Sequence, residues 1–520
     1  MNQNLSKAQE NIRAEFETML QFVTSEEAQT AGADQIERGL FQFLLSLGAR
    51  LLQLFFQMRS QACRRDKTIV EGKEVRYQSE QKRVYSSIFG QVVVWRPYFY
   101  KKGGGYTPLD SELGLGKDRY SDLLRETLNY LAVYMPYNKT VETFERIFGM
   151  ALSTRVQQKL VADDAEDILA YYEQKAAPAV DKEAKILVIQ ADGKGVPMLL
   201  EKASPTPVRL GKGQKRGRKK EAIVTAAYTI KANPRTVEHV IESFFQENKA
   251  TKKHKIVSPK PQNKHTWATL DGKESALARL KQQVDVRQGT HIQHKVALAD
   301  GCEALQERIK KHFPDFTLIL DFVHANEYLW KVANSLFKEG DEQRIKWVKK
   351  QTELMLSGQT KKIIDDFRSR AQKKSRTRKQ VEKLEKTANY FERNLAYMTY
   401  DSYLANGWPI ASGVIEGACR HFVKDRFELS GMRWQQTGAE NLLRLRAVSE
   451  NDDWDDYYLF HRQQRHQRLY NTPFPEHGML EAFALELPLS DSFAPAFADS
   501  PSPLVEQPSC SNFEALSLAG

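Results

Sequence analysis

The sequence predicts a mixed α/β protein, and three observations carry that prediction. Apolar residues recur at helical spacing near both ends of the chain, from about Ala8 to Met58 and again from the residues after Asp321 to about Arg446. Between these stretches lie short apolar runs of strand character: Lys185 to Gln190 (KILVIQ), Val196 to Leu200 (VPMLL), Ala222 to Ile230 (AIVTAAYTI), His294 to Ala299 (HKVALA) and Phe316 to Leu320 (FTLIL). The last two runs flank a helical segment, Glu303 to His312, which suits a crossover between parallel strands.

A chain of 520 residues exceeds one ordinary hydrophobic core, so two or more domains are expected. Residues 1–175 read as an N-terminal region. Its helical pattern gives way to Val84 to Tyr100 (VYSSIFGQVVVWRPYFY), a hairpin broken at Gly90, and then to a loop at Gly103, Gly104 and Gly105. Helical pattern resumes near Tyr120. The stretch 140–162 divides at Gly149, with Ser153 or Thr154 as N-cap of its second half, and reads equally as a helix-turn-helix that binds DNA ends or as two packed helices.

The central runs give three strands, then strand, helix, strand over 180–337. That is the order of an RNase H-like sheet, and one of several mixed α/β arrangements the pattern permits. A basic helical insertion at 338–408 follows, in which seven of the twelve residues from Arg368 to Lys379 are Lys or Arg, so that a solvated or DNA-facing surface is expected there. A helix within 409–450 completes the core. Residues 451–520 form a C-terminal extension, rich in Pro, Ser and Ala from about 471 and expected to be largely disordered there.

Composition narrows the functional classes. Hydrophobic residues at 41% exclude wholesale disorder, and the net charge of +11 favours a polyanionic partner such as nucleic acid. The four cysteines form no CxxC pair, so neither a disulfide framework nor a structural zinc site is indicated, and a reducing cytoplasm fits. The opening residues, MNQNLSKAQENIRAEF, lack a basic n-region followed by an apolar h-region, so no secretory signal is expected. The segment Gly39 to Met58 carries Gln42, Arg50, Gln53 and Gln57 and reads as an amphipathic core helix, which leaves no membrane partner expected.

Three acidic residues stand out. Asp192 follows the first strand run and precedes Gly-Lys-Gly; Asp321 occupies the matching place after the fifth. If those strands are neighbours, both carboxylates meet at one end of the sheet. Glu416 lies in Ser412 to Arg426 (SGVIEGACRHFVKDR), a helix with Ser412 as candidate N-cap, an apolar face, and a polar face bearing Glu416, Arg420 and Lys424. Ordinary roles exist for each: an Asp after a strand commonly caps a helix, and Glu416 can pair with Arg420 one turn on. As a set they suit hard divalent cations, because Mg²⁺ and Mn²⁺ prefer carboxylate oxygens and two such ions stabilise the attacking and leaving oxygens of phosphodiester chemistry. The neighbouring His324 and His421 read as orienting or phosphate-contacting groups. A glycine-interrupted basic loop, Arg209, Lys212, Lys215, Arg216, Arg218, Lys219 and Lys220, reads as a track for a DNA backbone or as a solvated loop.

The segments VIQADGKGVPM around Asp192, LILDFVHANEYLWKVA around Asp321 and SGVIEGACRHFVKDRFELSGMRW around Glu416 resemble the ISKra-family insertion-sequence transposases of bacteria. The resemblance extends to FGQVVVWRPYFY and TPLDSELGL and covers roughly residues 40–450. It implies a DDE transposase with an RNase H-like fold, catalytic and metal-binding residues Asp192, Asp321 and Glu416, double-stranded DNA at terminal inverted repeats and target sites as partner, a homo-oligomer, and Mg²⁺ or Mn²⁺ as two ions. His324, Arg426 and Trp434 lie within the matched motifs. Related sequences carry a Cys pair where this chain has Lys101 to Tyr106 (KKGGGY), so no N-terminal zinc site is expected. A DNA-binding protein without catalysis and an RNase H-like nuclease are the alternatives.

Overall fold

The computed structural model describes residues 3–70, 73–101, 104–199, 219–245, 259–429 and 431–475. The N-terminal region opens with α1 (Gln3–Thr24), the short α2 (Glu26–Thr30) capped by Ser25, and the long α3 (Ala33–Ala62). A four-stranded antiparallel sheet follows in sequence order: β1 (Lys67–Val70), β2 (Lys73–Ser87), β3 (Gly90–Lys101) and β4 (Gly104–Tyr106). The hairpin expected at Gly90 is present, with Ser87 opposite Gly90 and a φ of 120° that favours glycine. α3 is pinned to β3 by Gln53, whose side-chain amide donates to the Val93 carbonyl at 2.7 Å and accepts from the Val93 amide at 2.8 Å. The expectation of a core helix needs correction here, because only Phe56 and Ser60 of α3 are buried.

Next come α4 (Pro108–Glu112), α5 (Asp122–Tyr134), α6 (Tyr137–Phe148), α7 (Thr154–Asp164) and α8 (Ile168–Gln174). The turn between α6 and α7 is built as its residues suggest. Gly149 ends α6 in the left-handed region at φ 69°, and the Ser153 hydroxyl accepts from the Val156 amide at 3.3 Å to start α7.

The central sheet contains β5 (Ile186–Pro197), β6 (Lys219–Ile230), β7 (Gln262–Thr269), β8 (His294–Ala299) and β9 (Thr317–Leu320), with α9 (Val237–Phe244), α10 (Gly272–Asp285) and α11 (Glu303–His312) between them. Its order is β7-β6-β5-β8-β9: β6 and β7 pair antiparallel, while β8 and β9 lie parallel to β5. This is the RNase H-like order, reached with a different strand list from the one expected. VPMLL is not a second strand, because β5 continues through Gly193 and Gly195 to Pro197. Those glycines serve close packing instead of a turn: a Cβ on Gly193 would lie 2.2 Å from Glu221 Oε1, and one on Gly195 2.9 Å from Lys219 Cδ. AIVTAAYTI is the second strand, and the third is Gln262–Thr269. Asp192 therefore sits within a strand, opposite Val224, and not at a strand end.

Helices cover both faces. Leu187, Ile189, Ala297 and Leu318 pack on Leu277 and Leu280 of α10 and on Leu305 and Ile309 of α11. Over the other face, Val188, Leu298 and Ile319 meet the helices that follow Asp321: α12 (Phe322–Leu336), α13 (Glu342–Leu356), α14 (Thr360–Ala371), α15 (Arg378–Asn394) and α16 (Tyr400–Ala405). The far half of that face, Val224 and Ala226 of β6 and Trp267 of β7, packs on α5, α7 and α8 and on the C-terminal helices. These are α17 (Gly413–Ala418), a π-helical turn Cys419–Lys424, α18 (Asp425–Phe427), α19 (Gln436–Glu450) and α20 (Trp454–Tyr470). Most of the tail expected to be disordered, residues 476–520, lies outside the described residues.

Candidate active site

Strand register alone brings carboxylates to one place. Gln190 of β5 stands opposite Leu298 of β8, and Ala299 of β8 opposite Leu320 of β9. Followed one or two residues further, the parallel ladders set Asp192, Asp300 and Asp321 side by side, and the alternation of a strand puts them on the face that also carries Val188, Leu298 and Ile319. The Asp321 amide continues the ladder, donating to the Ala299 carbonyl at 2.9 Å. Asp300 is a residue that sequence reasoning missed. Its signal was the one that marked Asp192, an acid followed by Gly after an apolar strand, but Asp-Gly after so short a run reads as a turn.

The acids differ in what holds them. Asp321 is fully buried, and its Oδ1 accepts from the Val323 amide at 2.9 Å, capping α12. Its Oδ2 lies 2.7 Å from His324 Nδ1 and also accepts from the Ser412 hydroxyl. The hydrogen bond to Asp321 pushes the His324 imidazole up to about 9, against the opposing effect of burial. Ser412 Oγ is also 3.2 Å from Glu416 Oε1, so one hydroxyl bridges two of the three expected acids. Ligand atoms of Asp321, His324 and Glu416 all lie within 4.8 Å of one another.

Asp192 reaches the turn that follows α17. Its Oδ1 accepts from the Gly193 amide at 2.6 Å, and its Oδ2 accepts from the Cys419 thiol at 3.5 Å. Burial, reinforced by the Asp192 charge, pushes the thiol well above its usual range and keeps it a donor. Gln190, one alternation earlier on β5, fixes α17: its Oε1 accepts from the Ile415 amide at 2.9 Å while its Nε2 donates to the Tyr228 hydroxyl at 2.9 Å. Asp300 is partly buried and accepts from the Cys302 amide at 3.0 Å. Burial raises its pKa first, and the charges of Asp192 and Asp321 raise it further, as expected of carboxylates sharing one site.

A cleft of about 800 Å³ opens beside Asp300 and His324, walled by Tyr328 of α12 and, from the insertion, by Lys386, Tyr390 and Arg393 of α15. Tyr328 and Tyr390 stack with ring centroids 3.9 Å apart. The insertion thus forms part of the site's boundary.

The remaining expected residues fall into groups. Arg420 and Lys424 are exposed, and among the described residues no ion pair joins Glu416 to Arg420. Lys219 pairs with Glu428, and Lys220 donates to Gln436 Oε1 at 2.8 Å. Arg209, Lys212, Lys215, Arg216 and Arg218 lie outside the described residues. Arg426 is buried, with Nε donating to the Ala132 carbonyl at 2.9 Å and its guanidinium 5.4 and 5.1 Å from the ring centroids of Tyr137 and Trp434. Burial lowers it to about 10. Trp434 in turn donates from Nε1 to the Phe427 carbonyl at 3.1 Å, so both residues secure the end of the helix that carries Glu416.

The fold and site define a class: an RNase H-like sheet with acids gathered on one face. No protein-family model matches the chain, and no curated protein matches its sequence. Among solved structures, the chain is similar to the Drosophila P element transposase strand transfer complex at 11% identity, over 72% of this chain and 89% of that one, with a TM-score of 0.23. The class rests on strand order and carboxylate placement.

Proposed function

We propose that the protein is a DDE-type DNA transposase of a bacterial insertion sequence, which cuts at the ends of its element and joins the freed 3′-hydroxyls to target DNA. The observation that carries this reading is the register of Asp192, Asp300 and Asp321 on one face of the sheet, with Glu416 brought to Asp321 through Ser412.

An all-oxygen set of carboxylates fits a hard divalent cation. Asp192, Asp300, Asp321 and Glu416 would hold Mg²⁺ or Mn²⁺, which when bound stabilises the attacking and leaving oxygens of phosphoryl transfer. Among the acids, the division of labour follows from their surroundings. Asp321 is committed to a helix cap, an imidazole and a hydroxyl, so it positions the site as well as contributing charge. Glu416 is exposed, accepts from Ser412 Oγ at 3.2 Å, and would complete the cation site from its open side. His324, whose imidazole is raised by its hydrogen bond to Asp321, holds that carboxylate in orientation.

In this reading Lys219, Lys220, Arg420 and Lys424, with the loop cations Arg209, Lys212, Lys215, Arg216 and Arg218, grip phosphates without reading sequence. The α6–α7 pair binds element ends, and two ends held together call for a homo-oligomer in the bacterial cytoplasm. The test is cleavage and joining of labelled DNA taken from the borders of the protein's own coding element, with Mg²⁺ or Mn²⁺. The parent should cut and join, while Asp192→Asn, Asp300→Asn and Glu416→Gln should bind DNA without cutting. Cutting without joining would favour a nuclease, and binding without either a DNA-binding protein.

A further inference from the structure

Helix α3 has three faces, set by residues about 100° apart around its axis. One meets α1: a Cβ on Gly39 would touch Phe22, Phe43 packs on Phe22 at 5.4 Å between ring centroids, and Arg50 pairs with Glu15. A second meets β3 through Gln53 and through Phe56, which is buried with Val92 and Val94. The third carries Phe41, Leu44, Gly48, Leu51, Phe55 and Met58, and its five side chains are between 39 and 54% exposed.

That third face has the spacing of a helix-pairing seam. Its residues step by three and four in alternation, the 3.5-residue period on which two helices stay in contact. It carries no charge, since Arg50 is the sole charged residue from Phe41 to Met58 and points to Glu15. Gly48 lets the ring of Phe89, from the β2–β3 turn, lie against the middle of the stripe; a Cβ there would be 2.6 Å from Phe89 Cδ1. Phe89 is itself 38% exposed and widens the apolar surface.

We infer that this face is where a second copy of the chain docks, α3 against α3 and antiparallel about a two-fold axis. The stripe is its own reverse match: run antiparallel, Phe41 meets Met58, Leu44 meets Phe55, and Gly48 with Phe89 receives Leu51, each contact occurring twice as an isologous interface requires. Half-exposed side chains of this size leave on the order of 80 Å² each, so six give about 500 Å² per copy and about 1,000 Å² in all, the lower bound for a specific interface. Although Ala33–Ala62 is long and apolar enough to cross a membrane, two of its three faces are already occupied by α1 and a water-facing sheet. A partner helix fits the remaining stripe; a lipid environment does not fit the other two.

The test is sedimentation velocity on the full chain across a micromolar concentration series, without DNA. The parent is expected to be a dimer, and the combined Leu44→Glu, Leu51→Glu, Phe55→Glu variant a monomer of unchanged helical content, its dissociation constant raised by more than about a hundredfold. Should the variant fold poorly, cross-linking decides: a mixture of Phe41→Cys and Met58→Cys copies is expected to form 41-to-58 links well above the parent's background. A parent that stays monomeric, a triple variant that stays dimeric, or 41-to-41 links in place of 41-to-58 links overturns the inference. So does a monomer that floats with mixed phosphatidylcholine and phosphatidylglycerol vesicles, or one that dimerises only after removal of residues 476–520.

Discussion

Asp192 and Asp300 occupy equivalent positions on neighbouring parallel strands, each two residues past the paired Gln190 and Leu298. Burial raises the Asp300 carboxyl first, and because two carboxylates so placed repel, the Asp192 charge raises it further. Asp300→Asn should therefore abolish strand cleavage as deeply as Asp192→Asn, by more than about a hundredfold, while leaving DNA binding and thermal melting near the parent's values. Full cleavage by Asp300→Asn would remove it from the site.

Asp321→Asn should behave differently from those two. It weakens the cap of α12 and leaves His324 and Ser412 without their shared partner, so activity and stability should fall together, the latter by about 1–3 kcal/mol in urea unfolding. A variant that loses activity alone would assign Asp321 a purely chemical role.

The His324 titration gives a pH signature in the absence of divalent ions. Its folded pKa, about 9, lies above an unfolded value of about 6.5, so the stabilisation is fully present below about pH 6.5 and is lost as pH rises through about 9. Unfolding free energy should decline over that window in the parent and decline less in His324→Gln. Proton NMR of the imidazole should report the raised value directly, and Asp321→Asn should lower it.

Far from the acids, Arg125 reaches Asp164 at 2.8 Å and Asp118 at 2.9 Å, and His461 of α20 lies 2.7 Å from Asp167. Asp164 and His461 are both buried. Asp164→Ala should destabilise the protein by about 1–3 kcal/mol, because it takes one carboxylate from a buried guanidinium that keeps Asp118 and removes the acceptor of the buried Asn129 amide. Denaturant unfolding checks this, and a loss under about 1 kcal/mol would mean water reaches Arg125.

Arg426 offers a contrast between two kinds of cation. Its guanidinium is enclosed by Tyr137 and Trp434 and bonded to the Ala132 carbonyl, so Arg426→Ala should cost about 2–4 kcal/mol of stability. Arg420→Ala and Lys424→Ala, on exposed positions, should leave stability within about 0.5 kcal/mol and instead flatten the salt dependence of DNA binding.

Much of this was legible in the residues, and the misses have physical causes. Strands such as His294–Ala299 and the helix Glu303–His312 announce themselves because burial on both sides, or on one stripe, forces a plain pattern. Gln262–Thr269 hides because its first half, Gln-Asn-Lys-His, is edge-facing and polar, and only Trp267 and its neighbours enter the core. Gly-Lys-Gly after Asp192 looks like a turn in sequence, whereas the glycines make room for Glu221 and Lys219 across the ladder. Asp321 and Glu416 could be chosen as candidates from their settings, but the Ser412 hydroxyl joining them, and the Gln190 amide that seats α17, are facts of distance that no spacing encodes.

The Gln190 contact also says something about synthesis. It joins residues 225 positions apart, and Glu416 comes late in the chain, after the whole helical excursion that begins at Phe322. A nascent polypeptide can complete its five strands and still have an amide at Gln190 with no helix to receive. The site is therefore complete only once the segment from Ser412 has been made and has docked. A chain that stops short of that point keeps its register of aspartates but lacks the last carboxylate, the cations Arg420 and Lys424, and the C-terminal helices that cover Val224, Ala226 and Trp267, so early termination removes part of the core together with the site.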